Sequence, residues 1–325
     1  MIKYARFLQV LILLACFQSK AQKNYLDYHA KVIACEQLIA EEQFTKALEG
    51  LDSLFNQYEF TFLREIKLAA ELSAHTEDYE SSLKFVQLGI QSGWSIKSIK
   101  KSKTLAPLQD HQGWSKIESG NDSLHQIFLS RLNIPLRTQV HKMIKKDQKM
   151  ALGVLLRITQ KAQDKYAKNK FAPHSEQQLQ LLDSILTHHG YPGEQLIGNR
   201  VWTSVILSHH NSISLSYNSK DTLYDQLRPK LLAALRRGEL SPYELAQVDD
   251  WRAAALTGHD STSVGFIGEI LKESDFKIAN ENRSAIGLRS IELRNKLIDI
   301  EDSSGLNLYL PKGWQKGKIM IDDHK

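Results

Sequence analysis

The chain has 325 residues, 42% of them hydrophobic and 24% charged, which excludes disordered and fibrous proteins and allows roughly two domains. Its two cysteines exclude a disulfide-stapled miniature protein and a four-cysteine zinc module. The formal net charge of +5 would suit an acidic partner, but part of that charge lies in an N-terminal segment with the features of a cleavable signal.

Residues 1–21 are predicted to be a secretory signal peptide. Lys3 and Arg6 precede a short apolar stretch over 7–17, and Ser-Lys-Ala at 19–21 places small residues where a signal peptidase needs them. The stretch is too short to cross a bilayer as a helix. Cleavage after residue 21 would remove three basic residues and no acids, lowering the charge from +5 to +2. We therefore predict export to the periplasm or cell envelope of a Gram-negative-type bacterium, with secretion as an alternative.

A second way of processing the N-terminus remains open. The string Leu-Leu-Ala-Cys ending at Cys16 loosely resembles a lipobox, in which Cys16 would become a lipidated first residue. Leucine two positions before the cysteine is uncommon in a lipobox, so cleavage after Ala21 is the preferred prediction.

The helical pattern of residues 22–118 repeats itself. The string over 43–48 aligns with the string over 78–83 at an offset of 35, so that Phe44 matches Tyr79 and Leu48 matches Leu83. The first helices of the two hairpins are predicted over 28–41 and 61–75. The pattern resembles tetratricopeptide repeats, which implies stacked helical hairpins whose concave surface binds another protein. Two repeats are fewer than usually suffice for independent stability, so we expect them to lean on the rest of the chain.

Residues 119–311 are predicted to form a second, helical domain, followed by a polar tail over 312–325. A long amphipathic run extends from 136 to about 166, and Ser175 with Gln178 suggests a capping box at the next helix. Further helices are predicted over 197–210, 223–237 and 241–257, then a loop with a short helix over 258–280 and a last helix over 281–299. No segment alternates like a strand, so the predicted fold class is all-α.

Histidines are the most conspicuous candidates for chemistry. Six of the twelve lie between 174 and 259, and the spacing of Trp202, Val205, Ile206 and His209 puts His209 on the apolar face of its helix. His209 could act as a base with Asp183 or Asp249, or it could be a structural histidine at the edge of the core. Asp249 is also placed to pair with Arg252 three residues later.

Other catalytic and binding motifs are missing from the sequence. It contains no G-x-S-x-G elbow, P-loop or dinucleotide-binding glycine motif, and adjacent His-His pairs do not have metal-ligand spacing on a helix. Cys35 is predicted to be a small buried side chain. The basic runs over 97–103 and 142–149 lack interleaved aromatic residues, which argues against a nucleic-acid partner. We therefore predict neither a metal nor a cofactor.

Several strings in the second domain together resemble a domain family of unknown function found in exported bacterial proteins. They are Asp147-Gln148, Asp183 before Gly190-Tyr191-Pro192, Gly198, Ser208-His209-His210, and the run Asn282-Arg283-Ser284-Ala285-Ile286-Gly287-Leu288. Members often carry Tyr-Gly-Thr-Gln where this chain has residues 262–268, so an activity that needs those side chains is doubtful here. The resemblance implies a domain boundary and no reaction.

The resemblance also suggests a candidate site. If its polar residues converge, His210, Asn282 and Arg283 would bind a polar or anionic small molecule beside His209 and Asp183. The alternative is that Arg283 and Asp183 form an internal ion pair. The sequence favours an exported protein-binding scaffold acting through the N-terminal repeats, and a hydrolase using His209 with Asp183 or Asp249 is the alternative. It does not decide whether the protein is an enzyme, although the missing motifs lean against one.

Overall fold

The N-terminal part of the chain forms two helical hairpins. The structure, a computed structural model, describes residues 23–258, 261–267, 270–311 and 317–322. The predicted signal peptide and Cys16 lie outside the described residues. The hairpins consist of Tyr25–Ala40 (α1), Phe44–Gln57 (α2), Leu63–His75 (α3) and Tyr79–Gln91 (α4).

Both hairpins turn in the same way, 35 residues apart. Glu42 and Glu77 adopt left-handed backbone conformations, with φ of 57° and 60°. The amide that follows each of them donates to a carbonyl five residues earlier, at 2.8 Å and 2.9 Å. A Cβ on Gly50 of α2 would lie 2.7 Å from the Cys35 Sγ on α1, so this glycine lets the two helices approach closely. Cys35 is buried, as predicted, and burial raises the pKa of its thiol to about 11.

The middle of the chain is helical but more interrupted than predicted. It contains Ile96–Ile99 (α5), a 3-10 turn at Ala106–Asp110, Trp114–Arg131 (α6), Ile134–Leu155 (α7), Gln160–Tyr166 (α8), a π-helical turn at Ala167–Phe171, and Ala172–His189 (α9). The predicted single run over 136–166 is wrong: α7 ends at Leu155, and Thr159 caps α8 through the Ala162 amide. The capping box at Ser175 is also wrong, because this hydroxyl contacts a histidine from another helix.

The remaining elements surround the second core. They are Glu194–Ile197 (α10), Trp202–Asn211 (α11), Leu215–Asn218 (α12), Leu223–Arg236 (α13), Pro242–Thr257 (α14), Ile270–Lys272 (β1), Glu273–Ala285 (α15), Ile291–Ser304 (α16) and Met320–Asp322 (β2). The fold is all-α, and the two short strands pair in parallel with Ile270 opposite Met320.

Two predicted features of the C-terminal region need correction. The last helix expected over 281–299 is two helices, because Gly287 takes a φ of 74° and Ser290 caps α16 through the Leu293 amide. Part of the expected polar tail is packed: residues 320–322 form β2, and Ile319 is buried.

The end of the chain completes the core of the hairpins. One hydrophobic cluster combines residues of α1 to α4 with six leucine and isoleucine side chains near the C-terminus: Leu293, Leu297, Ile300, Leu306, Leu308 and Leu310. The Arg64 guanidinium on α3 donates to the carbonyls of Leu308 and Tyr309, each at 3.2 Å. Residues 291–311 therefore complete the hydrophobic core of the hairpins, and they cover the face formed by α1 and α3. A second hydrophobic cluster lies within residues 136–288.

Candidate functional site

His209 pairs with a carboxylate that the sequence did not pair with it. Its Nδ1 lies 2.5 Å from Oδ2 of Asp147 on α7. The Asp147 side chain is fully buried, whereas 27% of the His209 side chain is exposed. With Nδ1 engaged by Asp147, Nε2 is the ring nitrogen left to exchange a proton with solvent or a substrate. A histidine–carboxylate pair is therefore present, but the carboxylate is Asp147, and the prediction of Asp183 or Asp249 as the partner of His209 was wrong.

Asp183 and Asp249 have other partners. Asp183 forms a half-exposed ion pair with Lys230 at 2.6 Å, so the predicted pair with Arg283 is wrong. Asp249 accepts from the Arg228 guanidinium at 2.8 Å and 3.0 Å. The expected Asp249–Arg252 pair is therefore wrong as well, and Arg252 instead contacts acidic residues near the start of α13.

His210 lies at the centre of a buried polar chain. Its Nδ1 is 2.9 Å from the Ser175 hydroxyl, and its Nε2 is 3.2 Å from Oδ2 of Asp221, which also contacts Arg252 at 2.8 Å. Burial works against ionisation of Asp221, but His210, the Leu223 amide and Arg252 outweigh it and lower its pKa to about 2. Ser175 and His210 have no exposed surface. This Ser–His–Asp chain therefore stabilises the core and offers no nucleophile to a substrate.

Asn282 and Arg283 hold a loop rather than facing a ligand. The Asn282 amide donates to the Ser263 carbonyl at 2.9 Å, and Arg283 donates to the Val264 carbonyl at 2.6 Å. Burial lowers the pKa of Arg283 to about 10. From the other side of the loop, Asp250 accepts the amides of Val264 at 2.6 Å and of Phe266. These side chains together fix the position of the Phe266 ring.

Phe266 lines a cleft between the hairpins and the second core, which we call the junction cleft. It has a volume of about 370 Å³. Its lining comes from residues 62–67 at the start of α3 and from residues 194–201 and 241–247. His29, Tyr309 and Pro311 close it at the sides. The cleft exists because the two parts of the chain pack together.

Two glutamates in the junction cleft have strongly raised pKa values. Burial raises the pKa of Glu194 to about 8; the hydrogen bond from the Leu63 amide opposes this shift, and the nearby Glu65 and Glu244 add to it. That amide donates to Glu194 Oε1 at 2.6 Å. Burial raises the pKa of Glu244 to about 7, although a hydrogen bond from the Tyr191 hydroxyl at 3.0 Å opposes the shift. At neutral pH Glu194 is therefore mainly a carboxylic acid, which both donates and accepts hydrogen bonds.

Two other polar groups lining the cleft have atoms that are buried without a hydrogen-bond partner among the described residues. They are His29 Nε2 and Asn199 Oδ1. The His29 side chain is 5% exposed, and burial lowers its pKa to about 3, so it is neutral. Asn199 uses its Nδ2 to donate to the Ser92 carbonyl at 2.9 Å, which aligns its amide. Buried polar atoms are nearly always paired, so a ligand that hydrogen-bonds to these two atoms would remove a cost in stability.

Cations and aromatic rings complete the walls. The Arg64 guanidinium pairs with Glu36 at 2.7 Å and lies 5.7 Å from the centre of the Tyr243 ring. The Lys67 ammonium lies 5.5 Å from the Trp94 ring and 5.1 Å from the Tyr309 ring. Burial lowers the pKa of Lys67. The walls thus offer apolar ring surfaces beside hydrogen-bonding groups.

The sequence did not point to this cleft. Glu194 follows the turn at 190–193, and Glu244 lies in the first turn of α14, where an acidic residue commonly has a local structural role. One feature of the sequence does distinguish these two acids. Each lies next to a turn or a helix cap, and neither has a basic residue within one helical turn that could neutralise it.

The described residues show no cluster of three or more histidine, cysteine or acidic side chains that could hold a metal ion. In the same part of the chain, no helix is long and apolar enough to cross a membrane. Comparison of the chain with protein-family models, with curated proteins and with solved structures found no match.

Proposed function

We propose that the protein binds a small, uncharged, hydrogen-bonding ligand in the junction cleft. The observation that carries the proposal is the presence of unpartnered buried atoms, His29 Nε2 and Asn199 Oδ1, in the same cleft as two carboxyls of raised pKa. Such an arrangement costs stability unless a bound group uses it, and perturbed titratable groups in a cleft are typical of functional sites.

The chemistry of the walls favours a ligand rich in hydroxyl and amide groups. The carboxyls of Glu194 and Glu244, protonated wholly or in part at neutral pH, donate and accept, as hydroxyl groups do. The rings of Phe62, Tyr243 and Phe266 supply apolar surfaces for the body of the ligand. A volume of about 370 Å³ lies at the lower end of the range for small-molecule sites and suits a monosaccharide or a small amide.

Calorimetric titration tests this proposal with three probes: glucose, N-acetylglucosamine and N-acetylalanine amide. We expect at least one probe to bind the unchanged chain at pH 6, and binding to weaken by pH 9 as Glu194 loses its proton. The Glu194→Gln variant keeps a donor and an acceptor at position 194 at all pH values, so its binding should weaken less, because only Glu244 then loses a proton in this range. Asp183→Asn is the matched control, because Asp183 lies on the surface. Failure of all three probes to bind, or an unchanged pH dependence in Glu194→Gln, would reject the proposal.

Binding of another protein through the N-terminal hairpins remains a separate proposal. In the structure the face formed by α1 and α3 is covered by the chain's own residues 291–311. A protein partner would therefore use another surface of the hairpins or displace that segment. Export, the signal peptide and a lipid anchor at Cys16 also remain predictions, since residues 1–22 lie outside the described part of the chain.

His209 and Asp147 favour acid–base catalysis as a second candidate function. The supporting observation is the 2.5 Å contact between a partly exposed imidazole and a fully buried carboxylate, which would orient the ring. Hydrolysis of p-nitrophenyl acetate tests it. Activity should fall at least about tenfold in His209→Gln and in Asp147→Asn, but not in the control His188→Gln, since His188 is exposed and bonded only to its own helix. Equal rates in all variants would exclude this function.

A further inference from the structure

The junction between α7 and α8 exposes a group of large apolar side chains. Leu152 is 53% exposed, Leu155 76%, Leu156 67% and Ile158 99%. We call these four residues the apolar tip. Isolated exposed leucines are common on protein surfaces, but a contiguous group at the end of a long helix usually marks a contact surface.

The apolar tip is held in place by specific packing. The Arg157 guanidinium donates to the Gly153 carbonyl at 2.9 Å and lies 4.3 Å from the centre of the Tyr166 ring on α8. Gly153 allows this ring to approach, since a Cβ there would lie 2.2 Å from the Tyr166 hydroxyl. The Gln163 amide donates to the Arg157 carbonyl at 2.8 Å. The connection therefore turns its polar groups inward and its leucines and isoleucine outward.

The surroundings of the apolar tip are strongly basic. Residues 142–170 contain nine lysines and arginines against two acids, a surplus of seven that exceeds the +5 of the whole chain. One of the two acids, Asp147, is buried against His209. The other, Asp164, is exposed. The rest of the chain therefore has a formal net charge of −2, so the net positive charge of the protein comes from the segment that contains the tip.

Three lysines and two leucines of the apolar tip lie on one face of α7, which we call the stripe. Lys142, Lys145, Lys149, Leu152 and Leu156 follow one another at intervals of three and four residues, which places them on one face of the helix. All five side chains are exposed. At 1.5 Å per residue, Lys149 lies within roughly 5 Å of Leu152 along the helix axis, well inside the Debye length at physiological salt.

We propose that this region is a membrane-binding site, in which the apolar tip enters the interface of a bilayer and the lysines of the stripe contact anionic lipid headgroups. Apolar side chains this exposed, at 53% to 99%, match the acyl boundary of a bilayer, which needs no shaped groove. A lysine-rich flank matches the negative surface of a membrane that contains anionic lipid. The site is separate from the junction cleft and needs no membrane-spanning helix.

Tryptophan fluorescence can report contact of the tip itself. Ile158→Trp in the full chain places an indole at the most exposed apolar position. With vesicles of phosphatidylcholine and phosphatidylglycerol at 3:1, we expect its emission to shift to shorter wavelength and to be quenched by brominated lipid. Ile278→Trp is the matched control, because Ile278 is 55% exposed and lies on α15. Equal quenching of the two variants would overturn the proposal.

Two further variants test the contributions of apolar surface and charge. With the Ile158→Trp probe in place, Leu155→Ser with Leu156→Ser should lower partition into these vesicles at least about tenfold. Lys145→Glu with Lys149→Glu should do the same and should remove most of the dependence on salt between 0.1 M and 0.5 M. Partition that is equal on vesicles of phosphatidylcholine alone would refute the role of anionic lipid. A dimer in light scattering that the serine variant dissociates, without vesicle binding, would show that a second copy covers the tip.

Discussion

Replacing Glu194 by glutamine should make the protein more stable, and the gain should grow with pH. The structure places this carboxyl where burial raises its pKa from 4.5 to about 8. The folded protein therefore holds a proton there that the unfolded chain releases between these two pH values. Because the folded state then binds more protons than the unfolded state, the free energy of unfolding falls as pH rises from about 4.5 to about 8 and levels off above that.

The expected magnitude follows from the size of the shift. Each unit of pKa is worth about 1.4 kcal/mol, so the Glu194 carboxyl alone should lower the free energy of unfolding by about 3 kcal/mol between pH 5 and pH 8. Glutamine resembles the protonated acid, keeps an acceptor for the Leu63 amide and does not titrate. Comparing the variant with the unchanged chain cancels most effects of other groups.

Urea unfolding at pH 5 and pH 8, followed by circular dichroism, measures this difference. Asp183→Asn serves as a surface control and should change the free energy of unfolding by less than about 1 kcal/mol at either pH. A Glu194→Gln variant whose advantage is the same at both pH values would show that Glu194 is already ionised in the folded protein. The assignment of an uncharged ligand to the junction cleft would then fail with it.

The remaining predictions concern packing. Glu36→Ala leaves the buried guanidinium of Arg289, which Glu36 contacts at 2.5 Å, without its carboxylate, and should cost about 3–5 kcal/mol in urea unfolding, part of which Arg289→Met should restore. Asp250→Ala removes the acceptor for the amides of the loop at 264–267 and should cost about 2–3 kcal/mol, with faster hydrogen exchange confined to that loop. Gly153→Ala should lower stability by about 1–3 kcal/mol because of its contact with Tyr166, and should cost less in a Tyr166→Ala background.

Local sequence patterns predicted the fold class because helices are encoded locally. The periodicity of the first hundred residues predicted the hairpin helices, and the helix predicted over 241–257 is α14, which Ser241 caps through the Tyr243 amide at 3.2 Å. The prediction of helix boundaries was wrong where the spacing of apolar residues continued across a turn. Residues around Gly287 continue the helical spacing of their neighbours, so the break between α15 and α16 depends on one glycine and the cap at Ser290.

The candidate sites could not be predicted in the same way, because their partners are distant in sequence. His209 was recognised as a partly buried histidine, but its carboxylate lies 62 residues earlier on α7, and no local pattern links the two. Glu194 has a raised pKa because the folded chain buries it, and the amide that donates to it, that of Leu63 on α3, is 131 residues away. Burial of a carboxyl by a remote helix leaves no trace in the spacing of nearby residues.

The covering of α1 and α3 by residues 291–311 has a consequence for how the chain can fold. The ribosome synthesises the hairpins before Leu293, Leu297 and Leu308, which belong to the same hydrophobic cluster. During synthesis the hairpins therefore expose an incomplete apolar face until nearly the whole chain is available, and closing it joins segments more than 200 residues apart. A chain truncated before α16 would keep that face open, so the loss of residues 291–325 should destabilise the N-terminal hairpins most.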